Sequence, residues 1–449
     1  MKVLLLHLPF EHELAQDYTG DSLGLGYIAS VLRRDGHEVE MLDALIRNLK
    51  PGDVAREIVE RSFDCIGITA NHYHQNVLIS TVREIRKHKK DVPIIIGGYL
   101  PTLSTAELLT KCPEIDIAVL GEGETTISDL IGRLDRSEDW HSIDGIAYMS
   151  DDGLVVTPSP SPITDLDTLP FPARDAIIQA QQVRPVELIR VLGSRGCYHR
   201  CSFCCIHAFY AFSGSPNPRM RQPEKVIEEI ESTIAATGIK RFRFSDDDFI
   251  GPSPKTREHA LQIAEELKKS KLPITFDIEC RADVLDEDVL KQLKEVGLDE
   301  VFLGIESGSQ TQLDRFNKRT TVEQNREAIR MLENLGIRVS SGFIMFDPYV
   351  TLAELSDNLQ FLNDTGIGKE VDTSTPGRKL YKGLSKLAIF PGVPLHERLK
   401  ADGLVTKDGM NIEYKYKDRS VRILCGAVKA CWVISHLPEY LKSLVNRQK

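Results

Sequence analysis

The 449-residue chain reads as an α/β protein: a doubly wound parallel sheet, a partial parallel barrel of roughly six strand–helix units, and a small C-terminal extension. Three observations predict this. Short apolar runs alternate with amphipathic segments, the pattern of repeated βα units. A proline-rich stretch splits the alternation into two blocks. Three cysteines, Cys197, Cys201 and Cys204, share one short loop directly after the first apolar run of the second block.

In the first block, residues 1–140, the runs Lys2–Leu6, Val39–Asp43, Cys65–Thr69, Pro93–Ile96 and Ile115–Leu120 read as strands. Leu23–Arg34, Asp53–Arg61, Gln75–Lys87, Leu103–Leu109 and Glu124–Leu134 carry helical periodicity. Ligands of open parallel sheets bind beyond the carboxyl ends of the strands. Those ends here are Asp43-Ala44, Gly67-Ile68-Thr69, Gly97-Gly98-Tyr99 and Gly121-Glu122-Gly123. Glycines there admit a bulky ligand close to the backbone. His72 and His74, just after Thr69, read as ordinary loop histidines within reach of such a ligand.

Residues 141–185 are expected to form a linker, because Thr157–Pro162 and Leu169–Asp175 hold too much proline for long helices. The second block, 186–390, has strands at Val186–Leu192, Arg241–Ser245, Ile274–Glu279, Glu300–Ile305, Arg338–Phe346 and Leu384–Phe390. Helices fall at Pro223–Thr237, Pro254–Lys268, Asp286–Val296, Val322–Leu335 and Leu352–Thr365. A parallel barrel carries its site at the carboxyl ends of its strands, where the cysteine loop Gly196–Cys204 lies. Soft thiolates select zinc or iron–sulfur. A structural zinc site takes four protein ligands, usually as two pairs, and no second pair follows. An iron–sulfur cube held by three cysteines leaves one iron open to a ligand. Cys205 reads as a packed thiol, and Cys425 and Cys431 as core or helix thiols.

Composition narrows the class. A formal net charge of −10 disfavours a nucleic-acid surface. The extension 391–449 is basic: from Arg378 to Lys449 there are 15 Lys and Arg against 6 Asp and Glu. That reads as a solvated surface, or as a patch for an anionic substrate. No run approaches the roughly 18–20 apolar residues of a membrane span, and the first residues read as a strand rather than a signal peptide. Nine unevenly spaced cysteines are no disulfide framework, so a reducing cytoplasm is expected.

The run Cys197-x-x-x-Cys201-x-Phe203-Cys204 after a first strand resembles the signature of the radical S-adenosylmethionine enzymes. The resemblance implies that the three cysteines ligate three irons of a 4Fe–4S cluster and that S-adenosylmethionine binds the fourth. It implies reductive cleavage to a 5′-deoxyadenosyl radical, with electrons from a donor such as flavodoxin or ferredoxin. Phe203 matches the aromatic residue near the adenine. Asp246, in Ser245–Phe249, matches an acid facing the site. Arg281 matches the partner of the cofactor carboxylate, and Glu306 and Ser307 match groups that bond its methionyl or ribose part. Where relatives read Gly-x-Pro-Gly-Glu-Thr, this chain has Met345–Thr351. Asp347 and Tyr349 are therefore expected to face the site as catalytic groups bearing on substrate choice.

Thr69, Gly97 and Gly98 similarly match the positions that cradle the nucleotide tail of cobalamin in the domain fused to many of these enzymes. The Asp-x-His-x-x-Gly motif for an axial histidine is missing, since Asp43 is followed by Ala44-Leu45-Ile46-Arg47. Nearly the whole chain thus resembles the cobalamin-dependent, class B radical enzymes. That implies methyl transfer to an unactivated carbon of a small-molecule or peptide substrate. The alternatives are other radical outcomes, such as ring rearrangement, cyclisation or epimerisation, with or without cobalamin. A methylthiotransferase would need more cysteines in the first domain than Cys65 and Cys112, and the polar strand ends argue against a non-enzymatic regulator.

Overall fold

The computed structural model describes residues 1–10, 21–214, 218–367 and 385–426. Its first sheet has strands β1 (Lys2–His7), β2 (Glu38–Asp43), β3 (Cys65–Thr69), β4 (Ile94–Gly97), β5 (Ile117–Val119), β6 (Ile146–Ser150) and β7 (Gly153–Val156). Their order is β2-β1-β3-β4-β5-β6-β7, parallel through β5 and antiparallel from there. Alternate residues of β1 feed opposite cores: Leu4 and Leu6 join Leu42, Ile66 and Ile68, while Val3 and Leu5 join Met41 and Ile95. Both faces are covered, which is why these strands read as unbroken apolar runs. The chain passes from β1 to β2 on one side and crosses to β3 on the other, so the topological switch lies beside β1. His7 ends that strand, in register with Asp43 and Thr69.

The expected linker 141–185 begins as sheet. β6 and β7 form a hairpin whose turn needs Gly153 at φ 118°. The prolines start only at Pro158, after the hairpin, and Ala147 is fully buried in the first core. The expected helix Leu103–Leu109 is two short helices, Tyr99–Leu103 and Thr105–Lys111, broken at Ser104.

The second sheet holds β8 (Ile189–Val191), and β11 to β14 below, in parallel. A small antiparallel pair, β9 (Ser194–Arg195) with β10 (Arg219–Met220), brackets the cysteine loop. β11 (Arg241–Phe244), β12 (Thr275–Arg281), β13 (Leu298–Glu306) and β14 (Arg338–Phe343) complete the order β14-β13-β12-β11-β8. Phe242, Phe244 and Phe276 fill the core between sheet and helices. Helices Pro254–Ser270, Val322–Asn334 and Leu352–Thr365 each start with a capping box, which satisfies end amides that would otherwise lack partners.

The sixth expected strand, Leu384–Phe390, is corrected. Leu384 lies outside the described residues. The remainder meets the barrel at one parallel bridge, Phe346 to Lys386. It diverges because Leu387 and Ile389 are drawn into an apolar cluster with Val393, Leu395, Leu399 and Tyr414 of the C-terminal region. That region adds a helix, Pro394–Ala401, and the pair β15 (Val405–Lys407) and β16 (Glu413–Tyr414). Cys431 and residues 427–449 of the basic tail lie outside the described residues. Among the described residues no helix is long and apolar enough to cross a membrane, and their eight cysteines are free.

Candidate functional site

The carboxyl ends of both sheets open into one cleft of about 380 Å³, partly open to solvent. That lies within the roughly 300–1,000 Å³ of small-molecule pockets. From the first sheet it is lined by His7, Thr69, Gly97, Gly98 and the Gly121–Glu124 turn, and from the second by Arg190, Leu192, Ser194, Arg195, Ser245 and Asp247. Tyr99, Phe209 and Tyr210 form an aromatic wall, with Tyr99 and Phe209 centroids 4.3 Å apart.

The three residues proposed from sequence as a cradle stand together on this wall. Thr69 and Gly97 are paired across β3 and β4. Gly98 follows at φ 100°, where a side chain is strained, and an added Cβ would lie 2.8 Å from the carbonyl oxygen of Ala70. At Gly97 an added Cβ would meet nothing nearer than the Val119 carbonyl oxygen, 3.8 Å away. A cradle that a methyl group would fill suits close approach by a large flat ligand.

Buried ion pairs fix the two halves face to face. Arg195 donates to Glu122 (3.0 Å) and Glu124 (2.6 Å), and Arg219 donates to both oxygens of Glu122 (2.7 and 3.0 Å). The Arg195 guanidinium also lies 4.9 Å over the Tyr27 ring. Nearby, Arg174 bonds Asp21 (2.5 Å) and Glu229 (2.9 Å). The sequence reading took only the glycines from Gly121-Glu122-Gly123 and missed the carboxylates. Two acids flanking a glycine at a strand end, with an arginine two residues before Cys197, were the available signal.

The cysteine loop adjoins the cleft through Asp247, whose Oδ2 accepts the Gly196 amide at 2.9 Å. Gly196 turns the chain into the loop at φ 97°. The turn 315–318 clamps the loop from outside: Ser202 N donates to the Phe316 carbonyl (2.8 Å), Ser202 Oγ to the Arg315 carbonyl (3.0 Å), and Asn317 Nδ2 to the Arg200 carbonyl (2.8 Å). Burial holds the Cys197 thiol up at about 12 and pushes Cys201 and Cys204 up as well, mainly by desolvation. Burial disfavours the thiolates, and a metal centre bound there would hold them ionised. Among the described residues no three His, Cys, Asp or Glu side chains converge on one ion. A cube spreads its thiolates over different irons, so it needs no such convergence.

Cationic groups surround this centre, as its negative sulfurs require. Arg281 points Nη1 at Cys201 Sγ (3.6 Å), is forked on Asp283 (2.9 and 3.0 Å), and donates to the Lys318 carbonyl. Lys318 is buried and bonds Glu306 at 3.0 Å. Asp283 and Lys318 are thus both engaged beside the cysteine loop. Glu306 sits at φ 62°, where β13 and β14 slip register. Gly304 and Gly342 leave room beside it: an added Cβ at either would lie within about 3.3 Å of its carboxylate. A strained non-glycine at a strand end marks a side chain held for a purpose. Phe203 packs edge-to-face on Phe316 at 5.1 Å.

Four expectations are corrected. Ser307 is fully buried; its Oγ lies 2.7 Å from Gln312 Oε1 and 2.8 Å from Asn358 Oδ1 and accepts the Ser309 amide, so no bond is left for a ligand. The register slip turns Glu306 toward the cysteines and Ser307 into the core. Asp246 faces inward, holding the Gly193 amide (2.9 Å) and Ser194 Oγ (2.6 Å), and the acid that lines the cleft is its neighbour Asp247. Burial lifts the Asp247 carboxyl to about 7, against the Gly196 amide and with help from Asp246, Glu279 and Asp248. Asp347 is fully buried under Arg315 (2.9 and 3.1 Å) and Gln312 (2.8 Å). Tyr349 packs in the C-terminal apolar cluster beneath Arg398, 4.4 Å from its ring centroid, and does not line the cleft. Both belong to the seam between barrel and C-terminal region.

Comparison with known proteins places this geometry. A model of the radical SAM superfamily matches residues 191–362, and a B12 binding domain model matches residues 16–131. An uncharacterized methyltransferase of Pyrococcus horikoshii is 29% identical over 389 residues, 85% of this chain and 83% of that protein. The anaerobic magnesium-protoporphyrin IX monomethyl ester cyclase of Rubrivivax gelatinosus is 30% identical over 378 residues, 81% of this chain and 66% of that protein. The chain thus spans just under two thirds of the cyclase. Among solved structures, the cobalamin-dependent S-adenosylmethionine radical enzyme OxsB, with aqua-cobalamin and S-adenosylmethionine bound, superposes with a TM-score of 0.78 at 23% identity, covering 97% of this chain and 67% of that one. The radical S-adenosylmethionine methyltransferase TsrM from Kitasatospora setae gives 0.70 at 18% identity, covering 91% and 77%. At these identities the structures bear on the fold.

Proposed function

The chain belongs to the radical SAM superfamily, in the group that carries a B12 binding domain, and on that premise we propose that it is a cobalamin-dependent C-methyltransferase. Its cofactors are a 4Fe–4S cluster, S-adenosylmethionine and cobalamin. One observation carries the reading: the glycine cradle of the first sheet and the strand ends beside the cysteine loop line the same cleft. Two cofactors that act on one carbon must share a chamber.

When bound, the cluster and S-adenosylmethionine supply the hydrogen-abstracting radical, and the corrin supplies the methyl group. The chain supplies position. Thr69, Gly97 and Gly98 would hold the corrin's nucleotide tail, and Cys197, Cys201 and Cys204 the cluster. Arg281 and Glu306 would hold the charged end of S-adenosylmethionine, with Phe203 near its base. In this reading residues 1–140 and the following hairpin form the corrin half and 186–390 the radical half. The aromatic wall and the buried ion pairs close part of the chamber, and filling of its open side by cofactors and substrate would keep water from the radical. The substrate is a small molecule or peptide, the electron donor a flavodoxin- or ferredoxin-like protein, and the setting a reducing cytoplasm.

The test needs no substrate. Anaerobically reconstituted protein with reductant and methyl-labelled S-adenosylmethionine should form 5′-deoxyadenosine, and S-adenosylhomocysteine only when corrin is present. 5′-Deoxyadenosine without any corrin-dependent S-adenosylhomocysteine would reject methyl transfer while leaving the radical assignment in place.

A further inference from the structure

At the switch point beside β1, His7 and Asp43 form a buried pair that the account above does not use. His7 lines the cleft, 6% exposed, and Asp43 behind it is 3% exposed. His7 Nδ1 lies 3.0 Å from both Asp43 oxygens. The carboxylate is itself held by the amides of Ile46 (2.9 Å) and Ser22 (3.4 Å), and the Ala44 amide donates to the His7 carbonyl (2.9 Å).

This arrangement fixes the tautomer. A carboxylate only accepts, so Nδ1 carries the proton, and in the neutral imidazole Nε2 keeps its lone pair. A histidine whose Nδ1–H is anchored on a buried carboxylate is the arrangement that orients metal-ligating imidazoles. The neighbouring histidine lacks it: the Asn71 amide donates to His74 Nδ1 (3.1 Å), which puts the proton on His74 Nε2 and removes that lone pair. His74 instead stacks on Phe10 at 4.6 Å and meets the His7 ring edge-on at 5.5 Å, closing the pocket around His7. β1 pairs with β3 and β3 with β4, the strands whose ends carry Thr69, Gly97 and Gly98.

We propose that His7, oriented by Asp43, is an axial nitrogen donor to the cobalt of the corrin in this chain. The motif that normally advertises such a ligand is absent because the histidine comes from the end of β1 and the carboxylate from the end of β2, 36 residues apart. The inference rests on the cobalamin reading above and deepens it. Asp43 is a positioning residue, acting through His7.

The test is spectroscopic. Full-length protein carrying ¹⁵N-histidine is reconstituted anaerobically with natural-abundance hydroxocobalamin, desalted, reduced to cob(II)alamin and examined by electron paramagnetic resonance. Histidine ligation should split each cobalt line into a doublet, from ¹⁵N. A triplet, from the corrin's own ¹⁴N base, or no nitrogen splitting, overturns the inference while the retained corrin upholds the function. Absence of retained corrin overturns both. The doublet should vanish in His7→Gln and persist in His12→Gln, His72→Gln and His74→Gln. If His7→Gln does not fold, loss of the doublet in any of the other three variants overturns the assignment and retention in all three upholds it.

Discussion

Replacing Gly98 and Gly97 separately by alanine divides the cradle into its structural and its ligand-facing part. Gly98 holds φ 100° and ψ −164°, a region closed to residues with a side chain, at a cost of about 1–3 kcal/mol. Its new Cβ would lie 2.8 Å from the Ala70 carbonyl oxygen and 3.2 Å from Thr69 Oγ1. Neither can give way cheaply, because Ala70 donates to the Gly97 carbonyl (2.9 Å) and accepts from the Leu100 amide (3.0 Å). Overpacking adds about 1–3 kcal/mol, so Gly98→Ala should destabilise the empty protein by about 2–6 kcal/mol. In urea, with slopes of about 1–3 kcal/mol per molar in small proteins and larger in long chains, the midpoint falls by about 1 M. Gly97→Ala meets no atom closer than 3.8 Å, so the empty protein should unfold at the wild-type midpoint. Yet Gly97 lines the cleft, and a methyl group intruding on a bound corrin at a cost of about 1–3 kcal/mol weakens retention roughly 5- to 150-fold. Urea unfolding of the empty protein and corrin retention after desalting read the two effects apart. Wild-type corrin retention by Gly97→Ala would refute the cradle, and a wild-type midpoint for Gly98→Ala would refute the strain argument.

Cys197→Ala, Cys201→Ala and Cys204→Ala should each abolish the broad iron–sulfur absorption and 5′-deoxyadenosine formation, whereas Cys205→Ser should leave both, as measured by iron content and product chromatography. Arg195→Leu strands Glu124 in a buried site without a cation, while Glu122 keeps Arg219; loss of about 3–5 kcal/mol in urea unfolding is expected. Arg315→Leu should cost a similar amount by leaving Asp347 and Glu354 buried and unpaired. Asp43 titrates below its ordinary value, so its stabilising contribution is present above about pH 3.9 and is lost as pH falls through the lower folded value. Asp43→Asn should therefore unfold earlier than wild type at pH 7, and the gap between their urea midpoints should narrow below about pH 4.

The parts of the fold carried by periodicity and glycine were legible. Strand ends announced themselves through Gly97-Gly98 and Gly121-Glu122-Gly123, and the cysteine spacing marked the second site. What failed was parity. Asp246 against Asp247, and Glu306 against Ser307, differ by one residue, and one residue reverses the face of a strand. The slip that decides the second case, with Glu306 at φ 62°, leaves no mark in composition. Asp347 and Tyr349 stood out as departures from a pattern, but the departure serves the seam with the C-terminal region, whose Arg398 and Tyr414 are distant in sequence. The His7–Asp43 pair was missed for the same reason: a dyad built across parallel strands is visible only once their register is known.

The central claim is that one chamber holds both a corrin and the cluster. It is tested most directly by counting what the full-length protein retains after anaerobic reconstitution with iron, sulfide and hydroxocobalamin followed by desalting. About one corrin and about four irons per chain are expected, with corrin lost in Gly97→Ala and iron lost in Cys201→Ala. A protein that keeps its iron and its 5′-deoxyadenosine chemistry but binds no corrin would contradict it.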